Sequence, residues 1–110
     1  MTHQEGEARV KSLQKEFLTW VETHPHLGLL DHERFNQMRR QAFASTFQAF
    51  KMGRVGLSTH KPIKLWNDFF GWARLSGLPP ELELEVQAKC FLVSLEAFRA
   101  GAMVTGSEED

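Results

Sequence analysis

The chain has 110 residues, of which 42% are apolar and 25% charged, and it carries one cysteine. That is the size of one domain and the ordinary balance of a globular protein. It excludes a disulfide framework and a cysteine-based zinc site. No apolar run approaches the roughly 20 residues that a membrane-spanning helix needs. The net charge of −1 conceals a strongly uneven distribution: residues 1–33 sum to −3, residues 34–64 to +7 with no acid, and residues 81–110 to −5.

Helical spacing dominates the pattern. A first helix is predicted over Glu5 to Thr23, where Val10, Leu13, Phe17, Trp20 and Val21 recur on one stripe. His24-Pro25-His26 ends it, because a residue before proline is pushed out of the helical region. Asp31 is a natural N-cap for a second helix running to Met52, with Gly53 as its stop. Gly53 to Lys61 reads as a loop. Pro62 then suits the first turn of a third helix, which carries Leu65, Trp66, Phe69, Phe70, Trp72 and Leu75 and ends at Gly77. Pro79-Pro80 opens a fourth, with Glu81 and Glu83 where the helix dipole favours anions. Its apolar residues form two stripes, one through Leu82, Val86, Cys90, Val93 and Ala97, the other through Leu84, Phe91, Leu95 and Phe98. A helix apolar over so much of its circumference is expected to be central. Gly101 ends the strong pattern.

These elements predict an all-α protein: a small four-helix arrangement in a single domain over residues 1–104, with residues 105–110 a disordered acidic tail. A weak internal repeat accompanies them. Phe43 to Gly53 aligns with Phe91 to Gly101 at an offset of 48, and Phe17 to Trp20 with Phe69 to Trp72 at an offset of 52. Duplication of a helical hairpin accounts for both offsets. So does the general likeness of amphipathic helices, and the sequence leaves the two open.

No catalytic pattern emerges. Ser58, His60 and Asp68 include the residue types of a hydrolase triad, but no nucleophile elbow surrounds Ser58. His24, His26 and His32 lack any standard metal-ligand spacing. Glu81, Glu83 and Glu85 project in different directions, and Cys90 among apolar neighbours reads as a core thiol. No enzyme activity, cofactor or metal is therefore expected. The single cysteine and the polar stretch Met1 to Gly6 predict a protein of the cytoplasm.

Binding features are more evident. Arg39, Arg40, Lys51, Arg54, Lys61 and Lys64 make the middle of the chain basic and are candidate contacts to an acidic protein surface or to nucleic acid. The loop after Gly53 combines backbone N–H groups with cations, as anion-binding loops do. Internal neutralisation, with basic and acidic helices side by side, is the competing reading. Trp66, Phe70 and Trp72 are candidate partner contacts, because four aromatic residues in seven wrap nearly the whole third helix. Such a patch fits a larger partner, a homodimer or a tightly filled core.

Two short segments, Gln48-Ala49-Phe50-Lys51-Met52-Gly53 and Glu96-Ala97-Phe98-Arg99-Ala100-Gly101, resemble helix ends in small accessory proteins of tailed phages and other mobile elements. The Gly-Trp continuation common in such stretches is replaced here by Ala102. The resemblance implies a non-enzymatic protein that binds a host or phage protein. Inhibitors of host defence, anti-CRISPR proteins among them, are one such class. The sequence thus points first to a helical protein-interaction protein, with nucleic-acid binding through residues 34–64 as the alternative.

Overall fold

The computed structural model describes residues 2–56, 67, 71 and 78–104, apart from the side chain of Leu29. Three long helices are described: α1 (His3–Thr23), α2 (His32–Arg54) and α3 (Pro80–Ala102), with a 3-10 turn at Leu27–Leu29 between the first two. The described part is all-α, without strands. Asn67 and Gly71 are both helical, and the rest of the predicted third helix lies outside the described residues, as does the tail at 105–110.

Each helix starts where a side chain or a proline disposes of the unsatisfied N-terminal amides. α1 begins two residues earlier than its apolar stripe suggests, because Thr2 and Glu5 form a reciprocal capping box. The Glu5 amide donates to Thr2 Oγ1 at 3.1 Å, and the Thr2 amide donates to Glu5 Oε1 at 2.9 Å. Those hydrogen bonds hold the Glu5 carboxyl below its ordinary value. Asp31 caps α2 as expected, its Oδ1 accepting from the Arg34 amide at 2.8 Å. Pro80 opens α3, with Glu81 and Glu83 in its first turn.

The core is formed by one stripe from each helix. Val10, Leu13, Phe17 and Val21 of α1 meet Met38, Ala42 and Phe50 of α2 and Val86, Cys90, Val93 and Phe98 of α3, all buried. α3 packs on both other helices, as α1 and α2 also do, so the packing does not single it out as the central helix it was expected to be. The stripe through Val86, Cys90 and Val93 faces inward, whereas the other is split: Phe98 is buried, and Phe91 and Leu95 are half-buried. Of the other stripe, Leu84 and the neighbouring Leu92 are 66% and 56% exposed. Burial pushes the Cys90 thiol up to about 12, with hydrogen bonds to Ser94 and Ser45 opposing that rise, so it stays protonated. Polar groups lock α1 to α2. Gln14 Nε2 donates to Thr46 Oγ1 at 3.0 Å, and that buried hydroxyl turns back to the Ala42 carbonyl at 3.0 Å.

Gly53 and Gly101 do not stop their helices. Each lies inside, one residue before the end, where α2 and α3 cross with their backbones in contact. A Cβ on Gly53 would overlap the Phe98 carbonyl oxygen, and a Cβ on Gly101 would overlap the Phe50 carbonyl oxygen. The two contacts are the same contact shifted by 48 residues. The correspondence extends along both helices, each 23 residues long. All the buried positions of α2 (Met38, Ala42, Ser45, Thr46, Ala49, Phe50 and Gly53) fall on buried positions of α3 at that offset.

His24 closes the other end. Its Nδ1 accepts from the amides of His26 at 3.1 Å and Leu27 at 3.4 Å, which leaves the proton on Nε2 to donate to Glu85 Oε2 at 2.6 Å. One imidazole thus caps the turn after α1 and ties it to α3. His24→Ala is expected to cost about 2 kcal/mol, since two backbone donors lose their acceptor along with the link to α3. Glu85→Ala, which removes only a half-exposed partner, is expected to cost less than half of that. Urea midpoints of the two variants give the comparison.

Candidate partner-binding face

α2 turns its polar side away from both other helices. Counting about 100° per residue, its buried line runs through Met38, Ala42, Ala49 and Gly53. Arg40, Phe43, Phe47 and Lys51 follow one another at spacings of three and four along a stripe on the other side of the helix. Arg39, Arg40 and Lys51 are exposed. Phe47, although apolar, is 44% exposed, because it lies well round the helix from the buried line. The guanidinium of Arg39 sits 5.8 Å from the centroid of the Phe43 ring, and Lys51 Nζ 5.1 Å from that of Phe47. Both are i,i+4 pairs in which a ring holds a cation in place at the surface.

Arg54 differs from the other cations of α2. It is half-buried at the end of the helix, and its Nε is buried with no hydrogen-bond partner among the described residues. Beside Phe47 a shallow hollow opens between α1 and α2, lined by Glu7, Val10, Lys11, Gln14, Phe47 and Phe50. Its apolar floor and charged rim suit a partner's side chain better than a small metabolite.

The charges are not neutralised in the way that adjacent basic and acidic helices suggest. α2 and α3 do pack side by side, but the ion pairs that α3 makes beyond itself run to α1 and to the turn that follows it. Glu96 lies 4.0 Å from Arg9, Lys89 lies 3.5 Å from Glu16, and Glu85 holds His24. Within α2, Arg34 pairs with the capping Asp31 at 3.7 Å. Among the described residues, Arg39, Arg40, Lys51 and Arg54 make no ion pair. The geometry explains this: Gly53 and Gly101 bring the α2 and α3 backbones into contact, and the buried side of α2 holds Met38, Ala42, Ser45, Ala49 and Phe50 but no cation. The long cationic side chains of α2 therefore point away from the seam. No protein-family model, curated protein or solved structure matches this chain.

Lys61, Lys64, Trp66, Phe70 and Trp72 lie outside the described residues, so the basic face is drawn here from its α2 members alone. Ser58, His60 and Asp68 lie outside them as well. The proposed anion loop loses its first two members to α2, since Gly53 and Arg54 are helical; Gly56 takes a positive φ of 78° just beyond. Among the described residues no three His, Cys, Asp or Glu side chains converge as a metal site. No helix among them is long and apolar enough to cross a membrane. Sequence reasoning missed Phe43 and Phe47 as part of the face. The signal was present in their i,i+4 spacing to Arg39 and Lys51.

Proposed function

We propose that this chain is a non-enzymatic helical binding protein that occupies an acidic surface of a larger protein through the outward face of α2. The observation that carries this reading is the set of exposed cations, Arg39, Arg40 and Lys51, that takes no partner from the acids of the neighbouring helix. Cations left unpaired beside half-exposed aromatic rings are the composition of interface anchors. The resemblance of Gln48 to Gly53 and Glu96 to Gly101 to phage accessory proteins gives the reading a biological setting. In that setting a small phage-encoded protein covers a working surface of a host protein or nucleic-acid-processing complex, as a defence inhibitor does. The lone buried Cys90 fits a reducing compartment such as the cytoplasm.

Nucleic-acid binding is the second reading, favoured by the interleaving of cations and rings on one stripe. The ring faces weigh against it. Lys51 and Arg39 already lie over Phe47 and Phe43, so those faces are covered where bases would stack. The chain as a whole is not basic either, with a net charge of −1.

Affinity capture from a bacterial lysate, with and without nuclease, separates the two. The protein-partner reading expects a captured protein that survives nuclease and is released by Arg39→Glu combined with Arg40→Glu. Capture lost on nuclease treatment, together with a DNA or RNA mobility shift that weakens steeply with salt, would replace it with the nucleic-acid reading.

We further infer that the architecture is a duplicated helical hairpin of four helices. In it the segment from Pro62 to Ser76 stands to α3 as α1 stands to α2. The 48-residue coincidence of buried positions supports this, as do the helical conformations of Asn67 and Gly71.

A further inference from the structure

The outward face of α3 is apolar where the corresponding face of α2 is polar. Leu84, Ala88 and Leu92 occupy the positions that Asn36, Arg40 and Ala44 hold on α2 at the 48-residue offset. On α2, with α1 packed in place, Arg40 and Ala44 are exposed and Asn36 is half-exposed. The same positions on α3 therefore point away from the body of the protein, and Leu84 and Leu92 are 66% and 56% exposed. A shallow groove runs along this strip. The contrast between the two helices marks the leucines as additions to an outward face that the common packing does not require.

Charge tells what covers it. Glu81 and Arg99 are 18 residues apart, which is five full turns, so they lie on one line of the helix. Ala88 and Leu92 fall within about 20° of that line. The face thus reads acid, small, large, base, at spacings of seven, four and seven. Reversed, the same pattern complements itself: Glu81 meets Arg99, and Ala88 meets Leu92. Both charged residues are exposed. Arg99 Nη1 bonds Glu96 in its own helix at 2.9 Å, and the guanidinium has further N–H donors to offer.

We propose that the α3 face binds a second copy of this chain. The two α3 helices lie antiparallel about a twofold axis near Cys90, with Glu81 of each copy paired to Arg99 of the other and each Leu92 packed over an Ala88. The contact is isologous, so it closes at two copies. It uses a different face from α2 and stands whether or not the partner proposed above is found. A single helix pair buries less than the usual 1,200–2,000 Å² of a stable interface, so the dimer forms at roughly micromolar concentrations and above.

Sedimentation velocity of the full chain, from about 1 μM to several hundred μM, tests this. The wild type is expected to shift from 12.6 kDa toward twice that mass. Leu92→Glu is expected to remain at the lower mass throughout, with unchanged helical circular dichroism because the site is exposed. Leu84→Gln should weaken association in the same direction. Glu81→Arg and Arg99→Glu are each expected to raise the dissociation constant about tenfold, and the double swap to restore it. A wild type that stays monomeric across the range overturns the proposal, as does a Leu92→Glu variant that still dimerises. Failure of the double swap to recover association overturns the antiparallel pairing.

Discussion

Gly53→Ala or Gly101→Ala is expected to lower stability by about 2 kcal/mol, although alanine is the better helix former. At an exposed helical site the exchange gains up to about 1 kcal/mol. Here the added methyl meets a backbone carbonyl of the facing helix, which is fixed by its own ladder and cannot swing aside. α2 and α3 must move apart, and every contact along their seam loosens with them. Gly6 provides a control. Its added methyl would meet the Phe50 ring and a Val104 methyl, side chains rather than a backbone carbonyl, so Gly6→Ala is expected to cost clearly less. The two crossing glycines act on one distance. Once either substitution has separated the helices, the second should cost little, so the double variant falls well short of the sum. Urea denaturation with a constant m-value measures all four proteins. Stability raised by Gly53→Ala would mean that the helices do not touch at this point.

That crossing also shows what was legible in the sequence. The helical segments were readable because their cues are local: Asp31 as a cap, Pro80 in a first turn, and Val10, Leu13, Phe17 and Val21 at helical spacing. The 48-residue repeat was readable too, but its meaning was not. Gly53 and Gly101 look like helix stops in a one-dimensional reading, since glycine commonly follows a helix end. Their role at a backbone contact depends on a second helix placed by the tertiary fold. The same limit applies to the faces. Phe47 is apolar, yet the buried line of α2 runs through Met38, Ala42, Ala49 and Gly53, and the ring lies well round the helix from it. Leu84 and Leu92 extend an apolar stripe that only burial could divide into an inner and an outer half. Ion-pair partners were least legible of all. Block charges of +7 and −5 suggest mutual neutralisation. Which acid meets which base is set by how the helices pack, and no cation of α2 lies on its buried side.

The seam's exclusion of charge gives the basic face its most demanding test. Arg40→Glu with Lys51→Glu is expected to reduce affinity for the captured partner by a factor on the order of 1,000 while barely changing stability. Neither residue makes an ion pair among the described residues, so reversal breaks none there. The loss of Lys51 from the Phe47 ring removes one exposed cation–π contact, worth about 0.5–1 kcal/mol, and shifts the melting temperature by a few degrees at most. In the complex the same side chains would be desolvated against acids. Truncating or reversing such an anchor costs about 2 kcal/mol or more, roughly thirtyfold. The two sites are 11 residues apart on one helix, about 16 Å, far enough for their effects to add. Arg9→Glu provides the contrast. It faces Glu96 at 4.0 Å, so its reversal disturbs a pair within the fold and leaves the α2 face intact. Isothermal titration of the captured partner against each variant, beside a thermal melt of each, separates the two outcomes. Equal losses of affinity from Arg9→Glu and from the α2 reversals would mean that net charge, rather than the α2 face, governs binding.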